Sequence, residues 1–208
     1  MRIVVDLQGL QSTASADRGV GRYTESIVEA LLRESREHEV VLALNGAFPR
    51  SFDRIKAKFS QWIEPCDFAV WQHFYDTAAK SNNAPALLSI AQKTRERFMQ
   101  TLAPDVIFST NLQEGLIDAA VTGVKSIECD AVYCSTLHDV VPLSFDGYLE
   151  DGTTRQWYWE KLAAAIASDV VITVSEASRR EILKRLPIPG KSTVRLAEWI
   201  RPATLPSS

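Results

Sequence analysis

Residues 169–174 read DVVITV, an apolar run rich in β-branched side chains. Such a run is typical of a strand in a parallel sheet, where helices cover both faces and the pattern does not alternate. Ser175 follows at once and is a natural N-cap for a helix that continues to Leu186, with Glu176 favourably placed against the helix dipole. The stretch therefore predicts a buried strand that leads directly into a helix.

Strands and helices alternate in the same way along the rest of the chain. The remaining predicted strands are Arg2–Leu7, Glu39–Leu44, Phe68–Phe74, Asp105–Phe108, Val132–Leu137 and Ser192–Leu196. The remaining predicted helices are Val20–Arg36, Ser51–Ile63, Ala86–Leu102 (with Arg95 facing solvent) and Thr154–Ala167. Residues 8–18 are polar and are predicted as a loop.

Right-handed crossovers join such elements into a doubly wound parallel sheet. We therefore expect an α/β, Rossmann-like domain over residues 1–200, with helices on both faces of the sheet. Residues 201–208, which include two Pro and two Ser, are expected to form a flexible tail.

The composition of the 208 residues excludes several classes of protein. A hydrophobic fraction of 46% and a charged fraction of 24% are those of a globular chain, and a net charge of −3 argues against binding nucleic acid through bulk charge. No apolar run has the ~20 residues of a membrane span, and the amino terminus becomes acidic too early for a signal peptide. The three Cys lack zinc-type spacing, so we expect a cytoplasmic chain without a metal site.

Two glycines lie at the start of the first predicted helix. Gly19 and Gly21 would let a phosphate approach free backbone N–H groups at the positive end of that helix, and Arg18 and Arg22 flank them. The spacing matches neither GxGxxG nor the P-loop pattern, so neither a dinucleotide site nor a P-loop is indicated. The alternative is a tight turn that only packs the helix on the sheet.

Polar residues also follow three later strands of the predicted sheet. They are Glu114 after the fourth strand, His138 and Asp139 after the fifth, and Ser175 after the sixth. In a parallel sheet these strand ends meet at one edge, where ligands bind. A His beside a carboxylate at such an edge suits hydrogen bonding to a polar ligand or proton transfer. The alternatives are a buried His bonded to backbone and a Ser that only caps its helix.

Four segments, in their order along the chain, carry a family resemblance. They are Gly19–Tyr23 after the first strand, Glu114–Thr122, Leu137–Leu143 and Trp157–Arg180. Together they resemble the retaining GT-B glycosyltransferases of the large family four, notably the mannosyltransferase-like enzymes of bacterial surface-polysaccharide synthesis. The resemblance covers most of the chain and implies the amino-terminal half of the GT-B fold.

The resemblance implies transfer of a sugar from a nucleotide-sugar donor to a glycan or lipid-linked acceptor, with retention at the anomeric carbon and with neither a cofactor nor a metal ion. As candidate catalytic groups it implies His138 against the donor sugar, and Glu114 and Asp139 against sugar hydroxyls. Backbone N–H groups of the glycine segment would face the departing diphosphate. The substrate-binding residues that it implies are Gly19, Val20, Gly21, Arg22, Tyr23 and Ser175.

The chain departs from the family in its length. The family carries a second Rossmann-like domain that holds the nucleotide sugar through a basic pair and an E-x7-E motif, and nothing after Ser192 can form it. We therefore expect the acceptor-side half alone, without turnover. A non-catalytic module that binds a glycan or lipid acceptor is the alternative. A nucleotide-sugar-modifying enzyme is a third class, but its GxGxxG and Tyr-x3-Lys signatures are missing.

Residues 49–63 are the candidate for peripheral contact with the inner face of a membrane. Their apolar side chains share one side of a helix: Phe52, Ile55, Phe59, Trp62 and Ile63. Four basic residues oppose a single acid in the same segment. A basic amphipathic helix with aromatic residues is typical of helices that lie in the headgroup region. The alternative is an ordinary crossover helix whose apolar side packs on the sheet.

Overall fold

The computed structural model describes residues 1–34, 37–73, 76–81, 85–188 and 193–195. Its strands and helices are β1 (Arg2–Asp6), α1 (Gln8–Gln11), α2 (Gly19–Glu34), β2 (Glu39–Asn45), α3 (Phe52–Phe59), β3 (Phe68–Trp71), α4 (Pro85–Thr101), β4 (Val106–Ser109), β5 (Val132–Thr136), α5 (Gly152–Ala167), β6 (Val170–Thr173), α6 (Glu176–Arg185) and β7 (Thr193–Arg195). The predicted element ends at Arg36, Phe74, Ser192 and Leu196 and the predicted tail 201–208 lie outside the described residues.

The seven strands form one parallel sheet in the order β3-β2-β1-β4-β5-β6-β7. Val4 of β1, for example, lies opposite Val41 of β2 on one side and Ile107 of β4 on the other. The strand order reverses between β1 and β4, and ligands of such sheets bind beyond the carboxyl ends near that reversal. The predicted doubly wound parallel sheet is confirmed, and the carboxyl ends of β1, β4, β5 and β6 are neighbours.

Helices cover both faces because successive side chains of each strand point to opposite sides of the sheet. On one face, Val5 packs in a core cluster with α2 and α3. On the other face, Val4 packs with Met99 of α4. Helices α5 and α6 share a further cluster that contains Leu162 and Ile182. The core therefore lies in two layers, as the expected fold requires.

One connection differs from the sequence prediction, and another departs from strand–helix alternation. Residues 8–18, predicted as a loop, begin with helix α1, whose Leu10 is buried in the core. Strands β4 and β5 are joined by residues 110–131, all of them described, without any helix. Strand–helix alternation therefore fails at this connection, and its backbone must find hydrogen-bond partners in other parts of the molecule.

Helix α3 packs against the sheet, so the predicted membrane-facing stripe is wrong. Ile55 and Phe59 are buried in the core cluster beneath α2, and Phe52, Trp62 and Ile63 pack partly buried against it. The reason is that a crossover helix needs its apolar side to cover the sheet. Among the described residues, no helix is long and apolar enough to cross a membrane.

Candidate functional site

The glycine segment and the end of β5 meet at the carboxyl edge of the sheet. Tyr23, in the second turn of α2, has its hydroxyl 3.1 Å from the hydroxyl of Thr136. Its ring meets the imidazole of His138 edge to face, with 4.7 Å between the ring centroids. Burial raises the pKa of Tyr23 to about 12, so its phenol stays protonated. Two predicted site segments that are far apart in sequence are therefore in contact.

His138 carries a ring nitrogen that the protein does not satisfy. Its side chain is half-buried, and its Nε2 atom is buried without a hydrogen-bond partner among the described residues. Burial lowers the pKa of His138, while the Asp139 carboxylate and the Thr110 backbone oppose that effect. The imidazole is therefore neutral near pH 7. An unpartnered buried nitrogen costs about 1–3 kcal/mol, which a ligand or water would recover by bonding to it.

Glu114 lies beneath the segment between α1 and α2 and not in an open crevice. Its side chain is 1% exposed, and its Oε1 accepts a hydrogen bond from Nδ2 of Asn111 at 2.6 Å. Its Oε2 has no partner in the described part of the chain. Burial raises the pKa of Glu114, and the side chains of Ser15, Ser12 and Asn111 act against that rise. Its contact with sugar hydroxyls stays a prediction.

Gly19 and Gly21 differ in whether the surrounding structure leaves room for a side chain. At Gly21 a Cβ atom would lie 2.1 Å from the carbonyl oxygen of Ala16, so only glycine fits this turn. The N–H of Gly21 donates to the carbonyl of Ser15 at 3.0 Å, so this donor is already used within the protein and the contact of Gly21 with substrate stays a prediction. Gly19 is exposed, with open space where a Cβ would be. An anion site at this helix end therefore depends on Gly19 and Val20.

The other predicted site residues cap turns or lie in solvent. Ser175 caps α6, since its Oγ accepts a hydrogen bond from the N–H of Ser178 at 3.0 Å. Asp139 accepts one from the N–H of Val141 at 2.9 Å and so stabilises the turn after β5. Arg22 is exposed in the first turns of α2. Capping accounts for the position of Ser175, and its substrate contact stays a prediction.

Sequence analysis missed a buried ion pair at this edge. Arg95 of α4 is fully buried, and its Nη2 and Nε lie 2.5 and 2.9 Å from Oδ2 of Asp6. Arg95 also donates to the hydroxyl of Ser109 and to the carbonyl of Gly123. The prediction that Arg95 faces solvent is wrong. Its spacing of four residues from the buried Ala91 was the available indication, because i and i+4 share a helix face.

Polar side chains also supply hydrogen bonds to the helix-free connection between β4 and β5. Gln8 donates to the carbonyl of Val121 at 2.6 Å and accepts from its N–H at 2.7 Å, as a neighbouring strand would. Lys161 of α5 is buried and donates to the carbonyl and hydroxyl of Thr122 at 3.2 and 2.8 Å. Burial lowers the pKa of Lys161 to about 8. These bonds fix the connection that carries Glu114.

The edge offers hydrogen-bonding groups for a polar ligand. The phenol of Tyr23 and the neutral imidazole of His138 suit hydroxyl groups, while the N–H groups at the start of α2 suit an anion. Within the described ranges, no group of three or more His, Cys, Asp or Glu is placed to hold a metal ion. The arrangement therefore suits a ligand that combines hydroxyls with phosphate.

Comparison with known proteins relates the chain to sugar transfer. The profile of Glycosyltransferase Family 4 matches residues 18–195. The serotype-specific mannosyltransferase WbdA of Escherichia coli is 26% identical over 202 residues, which cover 96% of this chain and 24% of that protein. Another WbdA of the same species is 24% identical over 173 residues, covering 82% of this chain and 21% of that protein. The chain thus spans about a quarter of the length of the curated relatives it matches.

A solved structure shares the fold. The crystal structure of Arabidopsis thaliana UGT89C1 complexed with UDP-L-rhamnose matches with a TM-score of 0.53 at 12% identity, over 96% of this chain and 52% of that chain. At this identity the likeness concerns the fold alone. The family match, in contrast, extends over most of the chain and includes the glycine segment and the strand ends that form the edge. The chain therefore belongs to glycosyltransferase family 4, the GT-B family that its motifs resemble.

Proposed function

We propose that this chain is the acceptor-side half of a retaining glycosyltransferase that moves a sugar from a nucleotide sugar to a glycan or lipid-linked acceptor in surface-polysaccharide synthesis. Its family and its likeness to a mannosyltransferase support sugar transfer. The observation that carries the proposal is the contact between Tyr23 and His138. It joins the two segments that the resemblance assigns to the diphosphate and to the donor sugar.

The transfer breaks the bond from the anomeric carbon to a diphosphate oxygen and forms a bond from that carbon to the acceptor oxygen. The diphosphate leaves with the electron pair, and its departing oxygen takes up the proton that the acceptor hydroxyl loses. Donors aimed at the departing oxygen lower the barrier. In this chain the N–H groups of Gly19 and Val20, at the positive end of α2, are the groups proposed for that role.

His138 is the group proposed to contact the donor sugar. A neutral imidazole can exchange hydrogen bonds with sugar hydroxyls, and its Nε2 lacks a protein partner among the described residues. Tyr23 orients the ring by its edge contact, and Thr136 in turn holds the Tyr23 hydroxyl. One preorganised polar contact of this kind is worth on the order of 100-fold in turnover, about 2.7 kcal/mol.

The proposal divides the enzyme between two domains. Residues 1–200 are proposed as the Rossmann-like acceptor side, and a second domain, outside these 208 residues, is proposed to bring the nucleotide to the carboxyl edge. One sheet accommodates every strand of the described residues, and the chain spans 24% of the length of the mannosyltransferase it matches. Both observations support the interpretation that this chain is one part of the proposed enzyme.

The test compares the isolated chain with a longer protein that carries a donor domain after it. Each is assayed with a panel of nucleotide sugars and with oligosaccharide and polyprenyl-linked acceptors. We expect no transfer by the isolated chain and transfer by the longer protein, with the anomeric configuration of the donor retained in the product by NMR. Transfer by the isolated chain would contradict the division between domains, and an inverted product would contradict retention.

A non-catalytic acceptor-binding module is the second candidate. It is favoured by the structural roles of two predicted catalytic groups, since Asp139 caps a turn and Glu114 is covered. A reading frame that continues past residue 208 into an E-x7-E segment favours the transferase, whereas a stop codon favours the module. The module would bind acceptor oligosaccharides, and no nucleotide sugar would change that affinity.

A further inference from the structure

The basic residues around α3 have separate roles that their sequence pattern does not indicate. Lys58 pairs with Glu25 of α2 at 2.5 Å. Arg54 donates from Nη2 to the carbonyl of Leu10 in α1 at 2.8 Å. Arg50 is exposed and has no carboxylate partner within the described ranges. Two arginines are therefore available next to α1, while Lys58 is neutralised by its pair.

Arg50 and Arg54 line one cavity of about 530 Å³. The segments after β1 and after β2 form its walls, so it lies at the same edge of the sheet as His138, towards β2. The two arginines face a single acid, Asp17. The other polar side chains of the lining are neutral: Gln11, Thr13 and Ser51. The excess of cationic charge favours an anionic ligand.

The cavity is partly organised before a ligand arrives. The Leu10 carbonyl holds the guanidinium of Arg54, so less side-chain entropy is lost on binding. Gln11 exchanges hydrogen bonds with the backbone of Asn45, at 2.8 Å to its N–H and 3.1 Å to its carbonyl, which joins the two walls. A guanidinium presents a planar fork of donors that matches the oxygens of phosphate better than an ammonium does.

We propose that this cavity binds a phosphate or diphosphate group through Arg50 and Arg54. The inference rests on the proposed function and adds to it the chemical class of the acceptor. The phosphoryl part of the acceptor occupies the cavity, and its sugar extends along the carboxyl edge towards the glycine segment. A lipid phosphate and a soluble phosphorylated sugar share this chemistry, and the experiment separates them.

The test is an NMR titration of the nitrogen-15-labelled 208-residue chain with inorganic pyrophosphate. Wild type is compared with Arg50→Gln and with Arg97→Gln, which removes the same charge from an exposed position of α4 outside this cavity. We expect pyrophosphate to shift the amides of residues 47–54. Arg50→Gln should weaken binding about 10-fold, or about 1.4 kcal/mol, because a charged bidentate contact is lost. Arg97→Gln should keep the wild-type affinity.

Flotation with phosphatidylcholine vesicles, prepared with and without phosphatidic acid, identifies the source of the phosphate. Pyrophosphate shifts together with Arg50-dependent binding to the phosphatidic acid vesicles assign the cavity to a lipid phosphate. Pyrophosphate shifts without vesicle binding assign it to a soluble phosphorylated acceptor. Either result supports the anion site.

Two results would overturn the anion site. They are equal affinities of wild type and Arg50→Gln for pyrophosphate, and shifts centred on Gly19 and Val20 with none in residues 47–54. Vesicle binding that Arg50→Gln and Arg97→Gln weaken equally would exclude a lipid phosphate as the ligand of this cavity. Neither method measures sugar transfer, so failure here leaves the proposed function to its own assay. Failure of the transfer assay, in turn, would leave a measured phosphate site in place.

Discussion

Two polar clusters lie at the carboxyl edge of this sheet, and they differ in how completely their hydrogen bonds are made. The fully buried Arg95 binds Asp6, a hydroxyl and a carbonyl, so its donors are used within the fold. Glu114 and His138 each keep one buried atom without a partner among the described residues. Arg95 therefore holds segments together, whereas the half-buried His138 keeps bonding capacity for a ligand and Glu114 lies covered beneath the segment between α1 and α2. Burial of charge alone therefore does not distinguish a site from a structural contact.

The largest effect is expected from breaking the satisfied cluster. Arg95→Met leaves Asp6 buried without a counter-charge, so the free energy of unfolding should fall by about 3–5 kcal/mol in urea denaturation. Arg97→Met, at an exposed position of the same helix, should change it by less than about 0.5 kcal/mol. If the two variants were equally stable, the Asp6–Arg95 pair would not be the structural cluster described above.

The second-largest loss of stability is expected from a substitution at Gly21, and Gly19 provides the comparison. Gly21→Ala drives a Cβ against the backbone carbonyl of Ala16, so we expect a loss of about 1–3 kcal/mol. Gly19→Ala meets open space in the first turn of α2 and should be neutral or stabilising by up to about 1 kcal/mol. Denaturant unfolding of both variants measures the difference. Equal stabilities would refute the packing role of Gly21.

The smallest effect on stability is expected at Glu114, and it depends on pH. Burial raises the pKa of Glu114 in the folded chain above its unfolded value, so the folded state binds this proton more tightly. Ionisation therefore costs stability as the pH rises through and above the ordinary Glu range, about 4.3. Glu114→Gln cannot ionise, and its side-chain oxygen can still accept from Asn111.

The comparison is made by urea denaturation at a series of pH values. Glu114→Gln should differ from wild type by a constant amount at acid pH and gain stability relative to it towards neutral pH. A difference that stays constant with pH would show that Glu114 is not the unsatisfied buried carboxyl inferred from its surroundings.

The fold was predictable because its determinants are local. Apolar β-branched runs such as 169–174, with a capping Ser175 directly behind, specify strand and helix within a few residues. The burial of Arg95 is not local, because it depends on a carboxylate 89 positions away in sequence. From sequence alone, a charged residue on an otherwise apolar helix face is predicted to be exposed, because its buried partner of opposite charge is not apparent.

The candidate site was predictable in position but not in detail. Strand ends and the family resemblance indicated Tyr23 and His138, which the structure brings into contact. Glu114 is covered because residues 110–131 connect β4 to β5 without a helix. Side chains such as Gln8 and Lys161 hold this connection in place. These tertiary hydrogen bonds leave no periodic pattern in the sequence. The basic amphipathic pattern of residues 49–63 fits both a membrane-surface helix and a crossover helix, and the burial of its apolar side distinguishes the two.

The most direct test of the account is His138→Ala, measured for transfer in the longer protein and for stability in the 208-residue chain. His38→Ala serves as the control because His38 is exposed. We expect His138→Ala to lower kcat on the order of 100-fold, about 2.7 kcal/mol, while the free energy of unfolding falls by about 1 kcal/mol or less. The control should change neither quantity. A His138→Ala enzyme that transfers at the wild-type rate, or that loses activity only because it unfolds, would contradict the claim that the unsatisfied edge contacts the sugar.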